Sequence, residues 1–247
     1  MDTNLSALLA ELDALRLRLD AARPLSLSAL RQLREDWEIT HTYHSNAIEG
    51  STLTLGETKA ILLDGVTVSG KPLREHLEAV NHREAMRLMT RLAKEAAPLR
   101  EADILELHRT ILTGIQSDEA GRYRSVRVRI AGSAHVFPNS LKVPELMSAF
   151  VQKVNAFEGH EALRAVRAHY DFVAIHPFID GNGRTARLLM NLLLLREGYV
   201  PALLIVEQRG AYYDALESAN MGDSLPFEIL MLQTVVHSLK DVLEFVT

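Results

Sequence analysis

Leu5, Leu8, Leu12, Leu15 and Leu19 recur at intervals of three, four, three and four residues, which sets them on one stripe of an α-helix that stops before Pro24. The helical period continues through Leu30, Leu33 and Trp37, on a helix that begins near Ser28 and ends at Gly50, a residue suited to the turn that closes helices. Thr54 with Glu57 has the spacing of a capping box and opens a short helix closing at Asp64 and Gly65. Pro72 suits the first turn of a long helix reaching about Lys94, and another runs from near Glu101 to Gly114. Further on, Pro144 starts a helix to about Phe157, Glu161 to Ile175 forms the next, and a last apolar run from Leu188 is ended by Gly198 and Pro201. The period changes once. Val126, Val128 and Ile130 alternate with Arg127 and Arg129 between glycines, the pattern of a half-buried strand, so residues 121–138 are expected to form a hairpin. The predicted fold is all-α, a compact helical bundle with one β-hairpin.

Composition narrows the function classes. With 247 residues, 47% of them hydrophobic, the chain can bury a substantial core, read as one main domain over residues 45–247 after a helical extension over residues 1–44. The absence of cysteine rules out disulfides, thiolate catalysis and cysteine metal sites. The ten histidines show no HExxH spacing, so no zinc is expected. Arg122, Arg124, Arg127 and Arg129 cluster in the hairpin. A net charge of −5 and the lack of a stacking array of aromatics make them a solvated strand face, with no nucleic-acid partner expected. The longest apolar runs fall below a membrane span and the first residues lack the basic start of a secretion signal, so no membrane association and a cytoplasmic location are expected.

The chemistry is concentrated between His176 and Arg187. An apolar run, Tyr170 to Ile175, precedes this segment and the helical run from Leu188 follows it, so it reads as a tight loop opening a helix. Pro177 pushes the backbone of His176 out of the α region, which presents the imidazole at a loop edge. Histidine titrates near neutrality and suits a base that takes a proton from a hydroxyl. Asp180 is a hard oxygen ligand suited to a magnesium ion already held by phosphate oxygens. Gly181 and Gly183 permit close backbone approach, and with Asn182 they leave N–H groups at a helix start whose dipole favours an anion. Arg184 and Arg187 lie three apart on one face, with planar forks that match phosphate oxygens.

This string resembles the signature of the Fic family, HxFx(D/E)GNGRxxR, and every specified position is present. The resemblance implies transfer of the AMP part of ATP to a Ser, Thr or Tyr hydroxyl of a target protein, and to the chain itself. In it His176 would be the base, Asp180 the magnesium ligand, Gly181, Asn182 and Gly183 the phosphate cradle, and Arg184 and Arg187 the contacts to outer phosphates. Asn182 and Arg184 would also stabilise the transition state. Arg184 stands where a kinase-like branch of the family carries a lysine-containing variant, which favours AMP transfer. The resemblance covers the chain from about residue 45, with the signature loop and helix over residues 176–197.

Residues 45–50, Ser45-Asn46-Ala47-Ile48-Glu49-Gly50, match the inhibitory pattern (S/T)xxxE(G/N) of the same family. That resemblance implies that Glu49 pairs with Arg187 and denies it to the terminal phosphate of ATP. Hundredfold suppression requires about 2.7 kcal/mol, whereas an exposed ion pair gives roughly 0.2–1 kcal/mol, so the pair must be sheltered and assisted by Ser45 and Asn46.

Tyr213, Leu216 and Asn220 share one helical face, where an aromatic, an aliphatic and an amide could hold adenine, as in the nucleoside pocket of the family, or could simply be core. Tyr212 is assigned to packing. The hairpin corresponds to the family's flap, which implies a protein target clamped near residues 126–132 by strand addition. A homodimer is expected from the leucine stripe and from the habits of similar proteins. Removal of AMP from a modified target, use of another nucleotide donor, and a non-catalytic binding regulator are the alternative functions.

Overall fold

The structure, a computed structural model, describes residues 2–95, 97–129 and 135–246. Among them the chain folds into ten α-helices: α1 (Thr3–Ala21), α2 (Leu27–Ile48), α3 (Leu55–Asp64), α4 (Leu73–Ala93), α5 (Glu101–Leu112), α6 (Val143–Asn155), α7 (Glu161–Ile175), α8 (Asn182–Arg196), α9 (Arg209–Asn220) and α10 (Leu225–Val246). The local signals act as expected. Helix α2 starts slightly before the expected Ser28, with Ser26 as its cap through Ala29 N–H, and Gly50 follows it at φ 103°. Thr54 and Glu57 exchange both bonds of the capping box on α3, which ends at left-handed Gly65.

Helix α8 lies at the centre, buried on nearly every side from Asn182 to Leu194 and packed on α7, α4, α5 and α2. A helix enclosed all round is normally apolar. Here its first turns carry Arg184 and Arg187 inward, so those cations must find partners inside the protein.

The leucine stripe of α1 is buried along its whole length in the same core as α8, chiefly against α10. Full burial of each leucine contributes about 1.5–3 kcal/mol of transfer free energy. The stripe is therefore used within the chain and supplies no dimer face. Helix α2 runs continuously through residue 45, where the extension was expected to meet the domain.

The hairpin is the main departure. No strand forms among the described residues; 127–129 and 135–139 have no regular structure, and 130–134, including Ile130 and the expected tip, lie outside the described residues. The physical reason is visible at the alternating positions. Among the described residues Val126 is 52% exposed and Val136 88%, which leaves little apolar face to bury there, and a two-stranded ribbon without one is marginal in water. Side chains join the two limbs instead: Arg124 donates to Val126 O (3.0 Å) and Pro138 O (2.7 Å), and Ser140 Oγ to Ser125 O (3.0 Å).

Candidate active site

The loop between α7 and α8 is braced from three directions. His176, at the end of α7, takes a left-handed backbone (φ 50°, ψ 61°), the one non-glycine with positive φ among the described residues. Pro177 thus keeps His176 out of the right-handed region as expected, at a backbone cost of about 1–3 kcal/mol that the surroundings must offset. Part of the offset comes from Arg124, whose Nε donates to His176 O (2.8 Å) and whose backbone N–H donates to Pro177 O (2.9 Å). Further along, the side chain of Asn182 spans the loop, accepting from Phe178 N–H (3.0 Å) and donating to Phe178 O (2.9 Å). The Phe178 ring stacks on His108 with centroids 3.5 Å apart. His108 accepts from Gly121 N–H at Nδ1 (3.0 Å), so its Nε2 carries the proton donated to Asp180 O (3.0 Å). Burial lowers His108 to about 4, which keeps it in that neutral form.

Asp180 sits in a ring of four charges. Its Oδ2 accepts from Arg74 (2.7 Å), while Oδ1 accepts from Gly181 N–H (2.6 Å) and lies 3.2 Å from Arg184. Arg74 and Arg184 each also reach Glu78 Oε1, at 3.0 and 3.3 Å, closing the ring. Burial pushes the Asp180 carboxyl up, but Arg184, the Gly181 N–H and Arg74 together outweigh it and hold the group below its ordinary value. No group of three or more His, Cys, Asp or Glu among the described residues could hold a metal unaided. A single cleft carboxylate does fit a magnesium ion that takes most of its oxygens from a nucleotide.

Glu49 Oε1 lies 2.7 Å from Arg187 Nη2, whose guanidinium also bonds Ser45 through Nε to Oγ (3.0 Å) and Nη2 to the carbonyl (2.9 Å). The carboxylate crosses directly above Gly183. A Cβ there would collide with Glu49 Oε1 and come within 3.2 Å of Arg187 Nη1, so the carboxylate keeps this place only above a glycine. A negative group thus occupies the start of α8, where the unpaired N–H groups of a first turn and the helix dipole favour an anion. Arg187 Nη1 is buried beside it without a hydrogen-bond partner.

A cleft of about 480 Å³ joins these parts, lined by Glu49, His176, Asp180 to Gly183, Tyr213, Leu216 and Asn220. The His176 ring packs against Phe137 (centroids 4.4 Å), and burial lowers it to about 4 against the opposing pull of the Val173 carbonyl, so it is an unprotonated base at neutral pH. Arg209 lies 4.9 Å over the Tyr213 ring and donates to Ile48 O (2.7 Å), tying α9 to the end of α2 beside Glu49. Asn220 accepts from Tyr170 OH (3.3 Å). A larger cavity, about 710 Å³ between α2 and α10, contains none of the motif residues and is set apart from this chemistry.

The residues singled out in the sequence therefore converge, with two differences in how they are used. The Asn182 amide is consumed within the loop, which leaves its backbone N–H for a ligand. Arg184 and Arg187 do not line the cleft: the first turns to Asp180 and Glu78, the second to Ser45 and Glu49. Tyr212 is packing, buried with its hydroxyl 3.0 Å from His169. Sequence reading missed Arg74, Glu78, His108 and Arg124. Arg74 and Glu78 have the i, i+4 spacing of an ion pair, a signal that gives no hint of Asp180 in another part of the chain.

A sequence profile of the Fic/DOC family matches residues 98–194. Protein adenylyltransferase Fic of Drosophila willistoni is 41% identical over 222 residues, covering 89% of this chain and 44% of the relative. Protein adenylyltransferase fic-1 of Caenorhabditis elegans is 42% identical over 205 residues, covering 81% of this chain and 40% of the relative. The chain thus spans less than half the length of these relatives. Among solved structures, Fic-1 (aa134–508) from C. elegans superimposes with a TM-score of 0.87 at 37% identity, covering 97% of this chain and 72% of that one. A Fic domain containing signaling protein from Bacteroides thetaiotaomicron gives 0.85 at 27% identity over 99% and 98%. With the signature loop, the enclosing helices and these similarities in agreement, the chain belongs to the Fic/DOC family.

Proposed function

We propose that the protein is an adenylyltransferase that moves AMP from ATP to a Ser, Thr or Tyr hydroxyl of a target protein and is restrained by its own Glu49. The observation that carries this reading is the Glu49 carboxylate seated over Gly183 on Arg187, in one cleft with His176: an anion site facing a base.

The residues divide the work as follows. The target hydroxyl oxygen attacks the α-phosphorus in line with the departing pyrophosphate, and the neutral His176 imidazole takes the hydroxyl proton. The N–H groups that open α8, at Asn182 and Gly183, with Arg184 behind them, stabilise charge that develops on the phosphate oxygens. Arg187, once released, supports the outer phosphates. Tyr213, Leu216 and Asn220 form the wall against which adenine lies. Asp180 would hold magnesium, which offsets charge on the α and β phosphates. A target segment runs along residues 126–132, of which 126–129 are described and leave their backbone without a ladder partner, as strand addition requires.

The restraint is strong enough on physical grounds. The Arg187 side chain is 7% exposed and that of Glu49 is 32% exposed, so the pair is sheltered, and a hydrogen bond to a charged group is worth roughly 1.5–3 kcal/mol. With Ser45 fixing the guanidinium, that reaches the range that hundredfold suppression demands. The partial exposure of Glu49 leaves it a way out.

Incubation with ATP labelled at the α or the γ phosphate tests the reaction. Protein-bound label from the α position alone supports AMP transfer; label from the γ position overturns it. A second reading rests on Glu49 sharing the cleft with His176: its carboxylate could direct water at an AMP-modified side chain, and release of AMP from such a target would reveal it.

A further inference from the structure

Asp180 carries two kinds of partner. Oδ1 is fixed by the Gly181 N–H of its own loop and by Arg184, whose side chain is 3% exposed and has nowhere to go. Oδ2 is engaged by Arg74, whose side chain is 50% exposed on the first turn of α4. Arg74 also donates through Nε to Glu78, one helical turn on, with an Oε1 distance of 3.0 Å. Two arginines and two carboxylates make the ring neutral as it stands. A cation arriving at Asp180 meets the Arg74 guanidinium already on Oδ2 and must displace it, and Arg74 is the member that can withdraw while keeping Glu78 as a partner.

We propose that Arg74 is a resident cation on Asp180 that competes with the nucleotide-borne metal and so sets the magnesium concentration the site requires. The inference rests on the reading of the cleft as a magnesium-nucleotide site. In the metal-free protein Arg74 holds Asp180 Oδ2 in place at 2.7 Å. When nucleotide and metal enter, Arg74 leaves Oδ2 and rests on Glu78 alone. The pair is half-exposed and its worth is modest, so the competition tunes the magnesium requirement and does not abolish binding.

The test uses the full chain carrying Glu49→Gly, with α,β-methylene-ATP, whose α–β bridge cannot be cleaved, titrated by calorimetry across a range of magnesium concentrations. Arg74→Gln is expected to lower the half-saturating magnesium concentration about two- to fivefold, the range of an exposed ion pair, and to lower the unfolding midpoint of the metal-free protein. Arg74→Lys, which keeps the charge, is expected to stay near the parent. An unchanged or raised requirement in Arg74→Gln overturns the competition, and an equal shift in Arg74→Lys overturns its electrostatic basis. Analogue binding by the parent without any dependence on magnesium removes the underlying reading and the inference together, which separates that failure from the failure of Arg74 alone.

Discussion

The Glu49 carboxylate and the Arg187 guanidinium meet at 2.7 Å across the first turn of the buried helix α8, and they do so because residue 183 has no side chain. The glycine that would let a phosphate approach that helix is where the protein's own carboxylate now lies. Under the proposed function one geometric requirement would serve both the restrained and the active state.

Gly183→Ala should separate these two uses. Its methyl pushes the Glu49 carboxylate off Arg187, so the full chain should lose about 1–3 kcal/mol of stability, the cost of leaving a buried charged group short of a hydrogen-bond partner. In a Glu49→Gly background the same change should cost less than about 1 kcal/mol, since the two residues are coupled. Urea unfolding of the four proteins measures the coupling, and equal losses in both backgrounds would contradict the contact.

Arg124 is 2% exposed and bonds carbonyls of His176, Val126 and Pro138, with no carboxylate partner among the described residues. It ties the end of α7 at His176 to the chain at Val126 and Pro138. Arg124→Met should lower the rate of transfer to a protein target by up to about a hundredfold, the scale of a small displacement of a catalytic group. Nucleotide affinity, set by α8 and α9, should change little. A parallel loss of nucleotide affinity, measured by calorimetry, would assign Arg124 to general folding.

Acid should destabilise the protein well above the carboxylate range. Burial holds His41 and His169 at about 3 and His108 and His176 at about 4, and lowers His82 strongly. In the unfolded chain each titrates near 6.5, so below that pH the unfolded state binds more protons and stability falls as pH falls. At pH 5.5 the loss approaches an upper limit of about 1.4 kcal/mol per histidine. Urea midpoints at pH 7.5 and 5.5 check the sign, and a higher midpoint at the acid pH would contradict the neutral burial of these rings.

Removal of the base should leave the cradle. His176→Ala is expected to lower transfer by about 10²–10⁴-fold, the usual range for general-base catalysis, with nucleotide binding within about threefold of the parent. Retained transfer would assign the proton to another group.

The parts of this architecture that depend on neighbours in sequence were legible in it. Thr54 with Glu57, and Gly65, mark helix ends through contacts within a turn, and the residues from His176 to Arg187 are contiguous, so their shared loop could be read directly. Helix α10 was left undelineated although Phe227, Met231, Val235, Leu239 and Leu243 recur every fourth residue and are buried; its packing on α1, α9 and α7 joins distant parts of the chain. Contacts over long separations were hidden. Arg187 and Glu49 are 138 residues apart and were paired only through resemblance, while Arg74 and Asp180, 106 apart, had no such guide. Arg124 looked like one of four solvated arginines. Nothing local distinguishes it from Arg127 and Arg129, and its burial follows from where three chain segments cross.

The central claim is that Glu49 restrains a transferase whose base is His176. Its most direct test is protein-bound label after incubation with α-labelled ATP and magnesium, comparing the parent chain, Glu49→Gly and Glu49→Gly/His176→Ala. The account predicts strong labelling in Glu49→Gly, at least about tenfold above the parent given a restraint of more than 1.4 kcal/mol, and none in the double variant. Equal labelling of the parent and Glu49→Gly, or persistent labelling without His176, would contradict it.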